Sequence, residues 1–217
     1  MYDYTVAKKI YFIIISILFF TGIISFFVYR SYLVKKEAAI PFSPKDTILS
    51  LDPPSSALIG KVVKATGTVE KLARDKKEFE KISEGIEILQ GESIKTDRLS
   101  NTEVEFLDYA LITLSQNTQV VFANLLPSNF LIHQIDGQTW YKIFSDKPIS
   151  IRILHSLITI HAGEMDAKLQ GDLLTIQVIE GQTKLAMVNL DNETNIYSLA
   201  KGDSVSIDDA NRRVEIN

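Results

Sequence analysis

The stretch Leu174–Val188, LTIQVIEGQTKLAMV, carries the signature on which the fold turns. Thr175-Ile176-Gln177-Val178 alternates polar with apolar, and a second apolar run follows from Thr183 to Val188. A period of two places alternate side chains on opposite faces, as in a strand with one buried face. Between the runs stands Glu180-Gly181, which predicts a tight hairpin connection with Gly181 at positive φ. The same alternation recurs in Thr102-Glu103-Val104-Glu105-Phe106-Leu107 and in Ser150-Ile151-Arg152-Ile153.

Turn residues punctuate these runs at Ser83-Glu84-Gly85, Gln90-Gly91-Glu92, Gln116-Asn117, Asp136-Gly137, Ala162-Gly163, Gln170-Gly171-Asp172, Glu180-Gly181 and Lys201-Gly202-Asp203. A spacing of ~8–12 residues between turns belongs to all-β sandwiches and barrels. Two echoes reinforce the pattern: IDGQT at Ile135–Thr139 with IEGQT at Ile179–Thr183, and QGESI at Gln90–Ile94 with KGDSV at Lys201–Val205. Two matched pairs fall short of a solenoid period. The charged segment Arg74–Lys81 has a single Phe79 and no apolar stripe, so it reads as a turn leading into a strand. The expected fold for 58–217 is all-β: about a dozen short strands, stacked as antiparallel hairpins into a two-layer sandwich or roll.

Upstream the chemistry changes. Ile10–Tyr29, IYFIIISILFFTGIISFFVY, is an uncharged run of 20 residues. A helix of that length spans ~30 Å, the hydrocarbon thickness of a bilayer. The run is longer than a signal-peptide core and ends at Phe26-Phe27-Val28-Tyr29-Arg30 rather than at a small-residue cleavage site. It therefore reads as one transmembrane helix over 10–29, acting as an uncleaved signal-anchor, with residues 1–9 as a short cytoplasmic tail. Lys8 and Lys9 face Arg30, Lys35 and Lys36 across it, a nearly balanced charge. The C-terminal domain is expected outside the cytoplasm. Residues 30–57 hold four of the six prolines, at 41, 44, 53 and 54, and read as an extended stalk.

Composition narrows the function. The 217 residues contain no Cys, which excludes a disulfide scaffold and a thiolate metal site. The net charge is −4, and −6 for the residues beyond Arg30, so no basic field for nucleic acid exists.

In order along the chain, Gly67-Thr68-Val69-Glu70, Phe79, Ile88-Leu89-Gln90-Gly91-Glu92-Ser93-Ile94-Lys95-Thr96, Ser100–Leu107, Leu111–Val120, Val178–Thr183 and Leu199-Ala200-Lys201-Gly202-Asp203 resemble the elements of the FecR family of extracytoplasmic domains. The family's usual Asp-Gly turn is replaced by Asp108-Tyr109, and its G-T-x-F strand appears only as Gly163-Glu164-Met165. The resemblance implies a membrane-anchored, extracytoplasmic β domain. Members that regulate sigma factors carry a cytoplasmic domain ahead of their helix. Nine residues are too few to fold as one, so that activity is not carried over.

No catalytic constellation stands out. There is no G-x-S-x-G elbow and no paired acid and base. His155 and His161, grouped with Glu164 and Asp166, would form a metal site only if a turn brought them together; no metal or cofactor is expected. Trp140 and Tyr141 follow Asp136-Gly137, and adjacent strand positions face opposite ways, so one packs inward and the other is free to contact a partner. The leading expectation is a non-enzymatic, membrane-anchored domain that displays a β surface to a protein or cell-envelope partner. The alternatives are a sensor that signals through a membrane partner, and a wall-polymer hydrolase.

Overall fold

The computed structural model describes residues 56–216, which contain strands, turns and loops and no helix. The expected tail, membrane helix and all but the end of the stalk lie outside the described residues. Among the described residues, no helix is long and apolar enough to cross a membrane.

Among the described residues, seventeen strands build two sheets, here I and II. β1 (Gly60–Thr66) in sheet I runs through Gly67 into β2 (Val69–Leu72) in sheet II. Two short strands follow, β3 (Glu80–Lys81) on sheet II and β4 (Glu87–Ile88) on sheet I. β5 (Ser93–Thr96) in sheet II continues into β6 (Asn101–Phe106) in sheet I. β7 (Ala110–Leu114) in sheet I continues into β8 (Gln119–Leu126) in sheet II. β9 (Asn129–Ile143) is a single strand of 15 residues that belongs to both. Up to Asp136 it pairs with β8, and from Gly137 onward with β7 and β12.

The second half repeats the habit. β10 (Ile149–Ile153) and β11 (Ser156–Ile160) lie in sheet II, and β11 leads into β12 (Gly163–Gln170) in sheet I. β13 (Leu173–Glu180) in sheet I passes through Gly181 into β14 (Gln182–Val188) in sheet II. β15 (Thr194–Ala200) in sheet II leads into β16 (Ser204–Asp208) and then β17 (Arg213–Ile216) in sheet I.

The lateral orders match. Sheet I reads β17-β16-β13-β12-β9-β7-β6-β1-β4, and sheet II reads β15-β14-β11-β10-β9-β8-β5-β2-β3. The described residues therefore form one antiparallel array of bent strands folded along a line of corners, with β10 inserted into sheet II. That strand runs parallel to β9, Ile149 beside Phe130, so sheet II is mixed rather than purely antiparallel as expected.

The corners correct the hairpin expectation. β13 and β14 do not pair with each other; Glu180-Gly181 carries the chain from one layer to the other. Asp136-Gly137 does the same inside β9. Of the eight turn stretches, only Gln170-Gly171-Asp172 closes a hairpin, β12 with β13. Turn residues record that the chain changes direction; whether the next strand pairs with the last or crosses to the other layer is decided by packing. Arg74–Lys81 does turn and then enter β3, as read.

The echoes prove to be recurring local solutions. Gly91 N–H donates to the Phe122 carbonyl (2.7 Å) and Phe122 N–H to that of Glu92 (2.9 Å); Gly202 and Val178 repeat this at 2.9 Å, with Val178 N–H on Asp203 O at 3.0 Å. In each turn the following carboxylate also accepts a backbone N–H three residues back, Leu89 on Glu92 and Ala200 on Asp203, both at 2.8 Å.

Burial alternates along the strands, and the inner faces meet in one apolar core. Phe106 of sheet I packs against Phe122 and Phe130 of sheet II, with ring centroids 5.6 and 5.0 Å apart. Rings at these distances add modestly to the gain from area removed from water. Tyr109 stacks on Phe130 at 5.4 Å and donates its hydroxyl to the Pro127 carbonyl at 2.8 Å, taking the place of the glycine expected in that turn.

At Gly181, φ is +84°, and a Cβ there would stand 2.5 Å from the Ala162 carbonyl. Gly181→Val is expected to cost about 3 kcal/mol through strain and a clash with backbone. Gly171→Asn, in open space at φ +60°, should change stability by less than ~1 kcal/mol. Urea denaturation of both variants checks the contrast, and equal midpoints would remove the corner assignment.

Candidate interaction surface

Period two sends Trp140 and Tyr141 to opposite sides of sheet I. Trp140 is 46% exposed on the outer face, while Tyr141 is fully buried. Tyr141 is thus withdrawn from the partner-contacting pair: its side chain belongs to the core. Its hydroxyl donates to Gln134 Oε1 at 2.9 Å. Gln134 Nε2 in turn donates to the carbonyls of Gly137 (2.9 Å) and Ala167 (3.1 Å). This buried chain of bonds holds β9 at its corner. A phenol closed off from water is costly to ionise, so burial pushes Tyr141 above its ordinary value.

Around Trp140 the register assembles a polar face from strands far apart in the sequence. A cross-strand row runs Lys64, Glu103, Thr113, Trp140, Asp166, Gln177, Ser204. Residues directly opposite in an antiparallel ladder have Cβ atoms about 4.5–5.5 Å apart, within reach of one ligand or one partner strand. Lys64 pairs with Glu103 at 2.9 Å.

Along β9, the neighbours of Trp140 on the same face are Gln138 and Lys142, and both are tied sideways to β12. Gln138 Nε2 donates to Asp166 Oδ2 at 2.8 Å, and Lys142 Nζ lies 2.5 Å from Glu164 Oε1. The Glu164 carboxylate raises the Lys142 pKa. Burial pushes the Asp166 carboxyl up against the opposing effect of the Gln138 amide. Lys142 Nζ also sits 5.9 Å from the ring centroid of the exposed Phe144. The result is an exposed aromatic rimmed by amide, hydroxyl and carboxylate groups, suited to binding by stacking and hydrogen bonds. From the sequence, Asp166 stands only as a candidate metal ligand, and Gln138 and Phe144 have no site role; the parity that Gln138 and Lys142 share with Trp140 along β9 is the available signal.

The histidines and acids considered for a metal are dispersed. His155, in the β10–β11 turn, holds Asp209 Oδ2 with Nδ1 at 2.8 Å. His161 stands beyond the other end of β11, in sheet II, while Glu164 and Asp166 are engaged on sheet I. No group of three or more His, Cys, Asp or Glu suited to a metal occurs among the described residues. His133, on sheet II beside Arg152, is lowered in pKa by burial and by that guanidinium.

No family model matches the chain, and no curated protein matches it. In fold it is similar to two crystal structures of a proposed anti-sigma factor from Parabacteroides distasonis ATCC 8503, at TM-score 0.51 and 14% and 15% identity. Each match covers 58% of this chain and 58% of the other, so the likeness spans under two thirds of those structures and concerns the fold alone.

The buried phenol sets a pH dependence. Below pH ~10 Tyr141 is protonated in both states. Above it the unfolded chain ionises while the folded chain resists, so stability falls as pH rises through that value. Burial raises Tyr109 in the same direction. Tyr141→Phe is expected to flatten the alkaline loss without abolishing it. At neutral pH it should cost about 1–3 kcal/mol, because Gln134 Oε1 loses its buried donor. Denaturation midpoints at pH 7 and pH 11 check both signs; an unchanged alkaline slope would refute the first.

Proposed function

We propose that this chain is a membrane-anchored, FecR-type domain that presents the outer face of sheet I to a protein or cell-envelope partner and catalyses no reaction. The observation that carries the reading is Trp140: a large aromatic, about half exposed, on a central strand of a broad polar face. Exposed tryptophans of this kind are the residues that dominate binding energy at interfaces. The apolar run Ile10–Tyr29 supports anchoring, and the proline-containing stalk supports display away from the lipid. The FecR-like order of motifs supports the family, and the extracytoplasmic side rests on that resemblance; the fold shared with a proposed anti-sigma factor is compatible with the family.

That same likeness favours a second reading, in which partner binding is sensed and passed on through a membrane protein beside the helix.

A photoreactive residue at position 140, in cells, is expected to capture one envelope component, and the same residue at Leu157 on sheet II should not. Equal capture at both positions, or none at 140, would overturn the surface assignment. Protease added to cells with opened outer layers should cut within 41–54 and release the domain. Protection until the inner membrane is lysed would reverse the topology.

A further inference from the structure

The two sheets end in four lateral edges, and three of them are blunted. β3 and β4 have two residues each, and β17 carries Arg213 and Glu215. Short, charged edge strands are the usual defence against pairing with another chain. β15 lacks that defence. Its seven residues, Thr194-Asn195-Ile196-Tyr197-Ser198-Leu199-Ala200, contain no charge and no proline. Among the described residues it pairs on one side only, with β14. Ile196 is 68% exposed, and the exposed Leu157 and Val188 lie on the same outer face.

The backbone is arranged to accept a neighbour. Asn189 N–H donates to the Glu193 carbonyl at 2.9 Å. The alternation of an antiparallel ladder then turns the amides of Asn195, Tyr197 and Leu199 toward β14 and those of Thr194, Ile196 and Ser198 outward. Ala200 N–H donates to Asp203 Oδ2 at 2.8 Å and its carbonyl accepts from Asp203 N–H at 3.0 Å, so the turn closes the outward ladder after Ser198.

We propose that β15 pairs antiparallel with β15 of a second copy of this chain, extending sheet II across a twofold axis. Charge complementarity selects the occupant and the register. With Tyr197 on the axis, Ile196 faces Ser198 of the second copy and Thr194 faces Ala200. Glu193, just before the strand, then meets Lys201, just after it, and the twofold makes this contact twice. Moving the axis by one residue either way separates Glu193 from Lys201. In an acidic chain, an uncharged strand closed at both ends by opposite charges is a place where two copies approach without repulsion.

The test is the mass of the full chain in mild detergent by sedimentation equilibrium, expected at twice 24.4 kDa. Ser198→Pro removes one outward N–H and should raise the dimer dissociation constant more than tenfold with the fold retained. Glu193→Lys, on an exposed turn, should raise it on the order of tenfold, and the double exchange Glu193→Lys with Lys201→Glu should restore it. A monomeric wild-type chain, the outcome if residues 1–55 or a strand of another protein cover β15, overturns the proposal. A dimer indifferent to all these substitutions, as one formed through Ile10–Tyr29 would be, overturns it equally.

Discussion

Everything in this domain depends on the corners where strands pass from one sheet to the other. A strand that bends sharply loses ladder partners at the bend, and buried amides left without partners are costly. In the first half of the array, side-chain hydroxyls replace what the bend removes. Ser100 Oγ accepts from Thr68 N–H at 2.8 Å, Thr96 Oγ1 from Thr118 N–H at 3.0 Å, and Thr118 Oγ1 from Gln138 N–H at 3.0 Å. In the second half, Gly163 and Gly181 let two backbones approach more closely than a Cβ would permit. The bent strands therefore interlock along one seam, and β9 with its Gln134–Tyr141 chain stands at the centre of it.

This construction determines which surfaces are available. Folding the array buries one face of each sheet and leaves the other face of each to solvent, with the lateral ends open. Sheet I presents a broad platform whose central aromatic is flanked by Gln138 and Lys142, both tied laterally from β9 to β12. Sheet II presents the exposed Leu157, Val188 and Ile196 on the face running toward β15. A rigid face is suited to recognition because little conformational freedom remains to be lost on binding.

The sequence and structure part company at the turns, for an identifiable reason. Glycine beside a polar residue predicts a hairpin, but most glycines of the described residues occupy crossings between layers. Several true hairpins instead place non-glycine residues in the left-handed region: Asp108 at φ 56°, Leu154 at 50°, Asn192 at 61° and Arg212 at 53°. Asp and Asn tolerate that region through local hydrogen bonds. At Leu154 the adjacent bond from His155 N–H to Asp209 Oδ1, 3.2 Å, ties the turn to the far end of the chain. Arg212 lies in the same cluster, its Nη1 3.7 Å from Asp209 Oδ1. No local pattern announces a turn stabilised by a residue fifty-four positions away.

What the sequence determined by itself was local. Alternation identified the strands and their buried faces, because a period of two is a property of the extended backbone. It also sends Trp140 and Tyr141 to opposite faces without deciding which of the two lies outside. Turn chemistry marked where the chain changes direction. Tertiary structure alone decided the rest: that Gly137 and Gly181 cross between layers, that β10 lies parallel to β9, and that Trp140 stands beside Asp166 and Thr113. Those outcomes depend on which strands lie next to one another. Adjacency is set by burying all the inner faces in one core at once, a global condition that no stretch of ten residues can express.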